Sequence, residues 1–317
     1  MVKVYLLFVF IISCQCMVAQ DAVKWLQRDN AIRSKGRPVV SAWHTGTAGI
    51  IKNEGAELSL FNTSRVGMTE KTELLFRIGE EWILPNVGIK HRWWENDRFR
   101  LSSEHHLYYT WPLLKILQKT QIKDLIPDTV PLNHGIAMRN ELLFSWLMNP
   151  QNSGCPDPAA EKILTLRAGV EFYAGQSNKQ IQPFDWFHTL YHTRIFQNEV
   201  LYYGGLQFDS YFSRAFHYSV NALYYSIGFT EDFAAESNVR LTYYVSRRIG
   251  ISASCKAAYM KISESQSTEM VDVNTPTANY TRKNQFSILP LLDITYLIRP
   301  DRGEIQHGLF RNRKKMR

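Results

Sequence analysis

The chain has 317 residues, 45% of them hydrophobic and 13% aromatic, with a formal net charge of +8. Beyond the first twenty residues no run approaches the roughly 18 consecutive apolar residues of a membrane-spanning helix, which excludes a helical membrane protein. The charge is concentrated at one end: residues 299–317 carry seven lysines and arginines against Asp301 and Glu304, so the basicity describes a tail and does not indicate a nucleic-acid-binding domain.

In chain order, Lys3 precedes a short apolar run from Val4 to Ile12, and small and polar residues lead to Val18-Ala19-Gln20. Charge, short apolar stretch and small-residue zone together predict a signal peptide over residues 1–20 and hence export. Ile11-Ile12-Ser13-Cys14 resembles a lipobox, and the alternative is cleavage before a lipidated Cys14. Without the leader, Cys155 and Cys255 remain. Two distant thiols make no disulfide framework, and no Cys/His cluster points to a metal. Residues 21–54, with Gly36, Pro38 and Gly46, read as an N-terminal extension, periplasmic or folded against a barrel mouth.

Residues 55–298 repeat segments of about ten residues with apolar side chains at every second position, which on a strand point to one side. Expected strands are 55–61, 71–78, 86–94, 98–109, 136–148, 163–174, 187–195, 200–208, 216–225, 238–246, 249–261 and 286–298. In 163–174 the alternation is clearest: Leu164, Leu166, Ala168, Val170 and Phe172 oppose Thr165, Arg167, Gly169 and Glu171. A short helix is expected from Trp111, with Pro112 at its start. It would cover one barrel end, or act as a plug or docking element. Long loops are expected at 149–162 and 263–284, both at one end of the barrel, with 111–135 at the other. Residues 299–317 form the basic tail.

The fold class expected is all-β, a transmembrane antiparallel β-barrel of about twelve strands with a short helix in one connection. The alternative, a soluble β-sandwich, fits less well with the long strands. Aromatics gather near segment ends, at Trp82, Trp93, Trp94, Tyr108, Tyr109, Trp111, Tyr202, Tyr203, Tyr224 and Tyr225, as girdles at two membrane interfaces would. Closure is favoured because an open sheet edge is costly in lipid. An even strand count puts both termini at one end.

The leader ending Val18-Ala19-Gln20, the Tyr-rich alternation over 55–298, and the passage Gly67-Met68-Thr69-Glu70-Lys71-Thr72-Glu73-Leu74 continuing to Pro85-Asn86-Val87-Gly88-Ile89-Lys90 carry a resemblance. The chain resembles outer-membrane β-barrel proteins of Bacteroidetes-type bacteria. The resemblance implies the outer membrane as location and outer-membrane lipid as a partner, with other envelope proteins as further partners through residues 111–135 or the basic tail. It departs from that class in ending on basic residues instead of an aromatic.

Residues expected to line the lumen are Arg167, Glu171, His217, Asn221, Arg240 and Lys256. His217 and Ser219, two apart on a strand, share a face, and Glu231 follows the next turn. A serine nucleophile needs an oriented base, and the set resembles the His-x-Ser and later Glu of lipid A 3-O-deacylases. Val220 stands where that family has Asn directly after the serine. His188 and His192 form no better site, and His105 and His106 point to opposite faces. No cofactor or metal is expected. The readings are a narrow channel or structural envelope component; alternatively, a membrane-embedded lipid hydrolase using His217 and Ser219; alternatively, a secreted soluble β-protein that binds a ligand.

Overall fold

The structure, a computed structural model, describes residues 43–298 apart from Lys52, Glu54, Arg214, Arg247, 150–160, 229–231, 266–279 and most of 121–130 and 176–199. The expected leader, Cys14, Cys155, Glu231 and the basic tail all lie outside the described residues.

Twelve strands form one closed antiparallel barrel in which each strand pairs with its neighbours in sequence and the last closes on the first. They are β1 (Ala56–Ser59), β2 (Ser64–Gly67), β3 (Thr72–Phe76), β4 (Asn86–Glu95), β5 (Phe99–Tyr109), β6 (Gly135–Leu147), β7 (Lys162–Gly175), β8 (Leu201–Ser213), β9 (Phe216–Ile227), β10 (Phe233–Tyr244), β11 (Ile249–Ser265) and β12 (Tyr280–Ile298). A single helix among the described residues, α1 (Trp111–Thr120), joins β5 to β6.

The period-two pattern puts polar side chains inward. Thr165, Arg167, Gln207, Ser219 and Thr242 are buried, while Leu166, Leu206, Val220, Val239 and Leu241 are exposed on the outer face. Ring clusters stand on that face near both rims. Phe99, Phe144 and Trp146 stack near the rim where β12 ends, the terminal rim, where Phe216 and Tyr243 also meet, tilted, at 4.7 Å. Toward the opposite, far rim Tyr224 stacks on Phe233, and Tyr259 lies tilted against Phe233. Not every aromatic near a strand end joins a girdle. Tyr108, Tyr203 and Tyr225 are buried in the lumen, because adjacent residues of a strand face opposite ways.

The count of twelve agrees with the sequence reading through two differences that cancel. The expected strand at 187–195 lies outside the described residues except for Ile195, which is not in a strand, and β7 pairs directly with β8, so no strand intervenes between them. Ser64–Gly67, too short to show a period, is a strand. The extra strand also inverted the assignment of loops to ends. The connection after β6 lies at the terminal rim, whereas those after β5 and β11 share the far rim.

The terminal rim ends almost level, but the far rim climbs around the barrel. β1, β2 and β3 have four, four and five residues, β4 to β10 have 10 to 14, and β11 and β12 have 17 and 19. β12 is therefore paired with β11 from Tyr280 to Tyr296, but with β1 only from Thr295 to Ile298.

Candidate functional site

The lumen near the terminal rim is filled by the segment preceding β1. Charged groups on the strands fix it in place. Arg65, fully buried on β2, grips Glu73 of β3 with two hydrogen bonds of 3.1 and 2.9 Å. The same guanidinium donates to the carbonyl oxygens of Trp43 (3.1 Å) and Gly49 (3.2 Å), and Glu73 accepts the Ile51 N–H at 2.7 Å. Lys90 of β4 stands 3.4 Å from the same carboxylate. A buried pair of this kind is tolerable only when its remaining hydrogen-bonding capacity is met, and the inserted segment meets it here.

The opposite wall holds the middle of the segment. Arg167 of β7 binds Glu141 of β6 through Nε at 2.5 Å and Nη2 at 3.0 Å, and donates to Gln207 Oε1 at 2.9 Å. Gln207 in turn donates to the Thr45 carbonyl at 3.0 Å and to Asp209 at 2.9 Å. Gly46 sits here with φ of 86°, and a Cβ on it would lie 2.3 Å from Gln207 Oε1. A positive φ and so close an approach call for glycine. Ser145 Oγ accepts the Ala48 N–H at 2.7 Å, and His44 lies within 3.3 Å of the hydroxyls of Tyr211 and Tyr244.

The far end is closed differently. Helix α1 turns Leu113, Leu114 and Leu117 into the barrel, where they pack with Tyr108, Tyr203 and Tyr225 and with Leu201, Ile227 and Met260. Pro112 in its first turn lacks an N–H that would have no helical partner there.

Between the two fillings lies a cavity of about 260 Å³. Arg139, Arg167, Glu171, Arg240 and Lys256 are in its wall, with Asn221, Asn238 and two apolar residues of β12, Leu289 and Leu291. Arg77 and Glu80, from the connection after β3, form another part of the wall and pair at 3.3 Å. Burial pulls the Arg77 pKa down, but the Glu80 carboxylate outweighs it and holds the guanidinium above its ordinary value. Lys256 pairs with Glu236 at 3.0 Å.

Five of the six residues expected to line the lumen border this cavity: Arg167, Glu171, Asn221, Arg240 and Lys256. His217 also faces inward, but it lies under the inserted segment, its ring 4.0 Å from that of His44. Its Nε2 is 3.6 Å from Asp209 Oδ1, near enough for an ion pair and too far for a hydrogen bond, and both atoms lack hydrogen-bond partners among the described residues. Ser219 stands opposite Asp209 on the neighbouring strand and is buried. Neither His217 nor Ser219 borders the cavity. Glu231 lies outside the described residues. The strand ends flanking it, Ile227 and Phe233, are at the far rim, whereas His217 is near the terminal rim.

Sequence reasoning missed Arg65, Glu73, Lys90, Glu104 and Glu141, all buried on lumen faces. The available signal was charge at alternate positions of otherwise apolar segments. Among the described residues no cluster of three His, Cys, Asp or Glu could hold a metal ion, and no helix is long and apolar enough to cross a membrane. Cys255 is a free, exposed thiol on the outer face. No protein-family model matches the sequence, and no curated protein matches it.

Proposed function

We propose that the chain is exported and embedded in the outer membrane, where it works as a closed barrel, a structural component of the envelope and not a diffusion channel. The observation that carries this reading is the filled lumen, sealed near one rim by Trp43–Ile51 and near the other by α1. The membrane location rests on the outer surface. Leu166, Leu206 and Val239 are 53%, 51% and 50% exposed, and aromatic clusters flank the apolar residues at both rims. From Phe233 to Tyr243 along β10 is about ten residues, or about 25 Å of barrel height for a strand tilted by roughly 40°, the height of the apolar band of known membrane barrels.

Two measurements test this. Envelope fractionation of the native host, with gel migration before and after boiling in detergent, should recover a heat-modifiable protein in the outer membrane. Recovery as a soluble protein with no mobility shift would sink the location. The purified barrel in planar bilayers should give no steady conductance, and an open, ohmic pore would sink the closed state.

A further inference from the structure

We infer that the barrel wall has a built lateral entrance between β12 and the short strands β1 to β3, through which the head group of an anionic single-chain amphiphile reaches the lumen cavity from the surrounding lipid. This rests on the membrane location proposed above. Strands of four and five residues extend only about 13–17 Å, against an apolar band about 25 Å tall, so as strands they do not complete the wall, and the connections at 60–63 and 77–85 border the cavity in their place. Among the described residues, the last backbone contact of β12 on this side is the Leu60 N–H donating to the Ile294 carbonyl.

An unpaired edge in lipid is costly, and this one, unpaired beyond Ile294 among the described residues, has two features of a built boundary. The first is Asp293, whose carboxylate accepts the N–H groups of Leu60 and Phe61 at 3.0 Å and of Asn62 at 3.3 Å. It ends the seam by taking donors that would otherwise extend it. The second is Pro290. Ile294 bonds toward β1, so on this strand the even-numbered backbone groups face the gap. Pro290 therefore removes a donor from the open edge and none from the ladder with β11. Proline is confined to edges for this reason, and there it opposes pairing with another strand. The edge is thus suited to remain open, not to receive a strand from a partner.

The chemistry changes across the opening. Phe286, Ile288 and Leu292 are 64%, 59% and 64% exposed on the outer face, and Leu289 and Leu291 continue the apolar lining inward to the cavity. Beyond them stand Arg240, Asn221 and Asn238. Arg240 makes no hydrogen bond or ion pair within 4 Å with another described residue, although its charge also acts on the buried carboxylates of Glu57 and Asp209. The Oδ1 atoms of Asn221 and Asn238, which face each other across β9 and β10, are buried without partners among the described residues. An anionic head group answers Arg240, and its hydroxyl or bound water supplies donors for the two amides. The cavity of about 260 Å³ holds about nine waters at roughly 30 Å³ each. That is enough for a head group and its first carbons, while the rest of the chain lies along Leu289 and Leu292 in the opening.

The test uses the full chain in phosphatidylcholine vesicles, with tail-labelled fluorescent dodecanoate as probe. Saturable binding is expected, displaced by unlabelled dodecanoate and not by acetate or dodecanol. Arg240→Gln should weaken it by about tenfold or more, the loss of a charge-assisted hydrogen bond, and Leu291→Trp should abolish it by filling the entrance. Ile251→Trp, on the outer face of β11, should leave it unchanged. If either lumen variant loses its heat-dependent mobility, Asn238→Asp takes its place and should weaken binding by setting a carboxylate two residues from Arg240. The inference is overturned if the inserted wild-type barrel shows no saturable binding, if the lumen variants bind like wild type, or if acetate or dodecanol displaces the probe equally well. A wild-type chain that fails to insert refutes the membrane location instead, so the two failures are distinguishable.

Discussion

Asp293 on β12 holds Asn62 twice, accepting both its backbone N–H, at 3.3 Å, and its side-chain amide. The same carboxylate also binds the N–H groups of Leu60 and Phe61, so one side chain terminates the four-residue seam that closes the barrel. Asp293→Ala should destabilise the barrel by about 3 kcal/mol, since it strands several donors of a charge-assisted cluster at once. Asp293→Asn, keeping one acceptor oxygen, should lose less. The urea midpoint of the heat-modifiable form, followed by gel mobility, measures both. Equal midpoints for wild type and Asp293→Ala would remove the seam from any account of stability.

Arg65 and Glu73 anchor the inserted segment at Trp43, Gly49 and Ile51. Removing one partner leaves the other charge buried, which typically costs about 3–5 kcal/mol. Arg65→Ala or Glu73→Ala should therefore release the segment, seen as new protease cleavage within 43–51 and as conductance in planar bilayers where wild type is silent. The double variant Arg65→Met/Glu73→Met should recover part of the stability lost in either alanine variant, since it removes opposite charges together, although Lys90 and Glu57 each lose a partner; it should stay conducting because the segment has lost its anchors. A silent double variant would show that the segment is held by other contacts.

Gly46→Ala probes the same insertion from the chain side. At φ of 86° a Cβ is strained by about 1–2 kcal/mol, and it would also collide with Gln207. Increased proteolysis of the segment with unchanged barrel mobility is the expected pattern. Gln207→Ala in the same chain should relieve the collision but not the strain, and because it also removes the bond to the Thr45 carbonyl it should give little rescue.

The barrel was legible in the sequence wherever a strand is long. Segments such as 163–174 show which face is outward because one mis-set residue would invert every side chain, and Leu166 and Arg167 stand as the alternation requires. Ser64–Gly67 was not legible, since four residues cannot display a period, and with it went the spiral far rim. Nor was the filled lumen. Nothing in the composition of Trp43–Ile51 distinguishes a segment inside a barrel from a polar extension, because its order depends on Arg65, Ser145, Gln207 and Tyr211, contributed by three strands far apart in sequence. Similarly, His217 and Ser219 do share a face, as two-residue spacing dictates, but the side chain set between them is Asp209, from a strand the motif does not include.

The outer face offers the sharpest separation of a membrane barrel from a soluble one. Leu206 is 51% exposed near mid-height on β8, flanked in register by Leu166 and Ala222. On a soluble protein, Leu206→Arg at so exposed a site falls within about 0.5 kcal/mol of neutral. In a bilayer the same change near the midplane costs about 2–4 kcal/mol. Moved toward an interface, as Phe216→Arg near the terminal rim, it should cost about 1 kcal/mol or less. Folding each variant into phosphatidylcholine vesicles and titrating with urea should therefore give a penalty that rises with depth. A flat profile, with Leu206→Arg as stable as Phe216→Arg, would mean that the outer surface faces water.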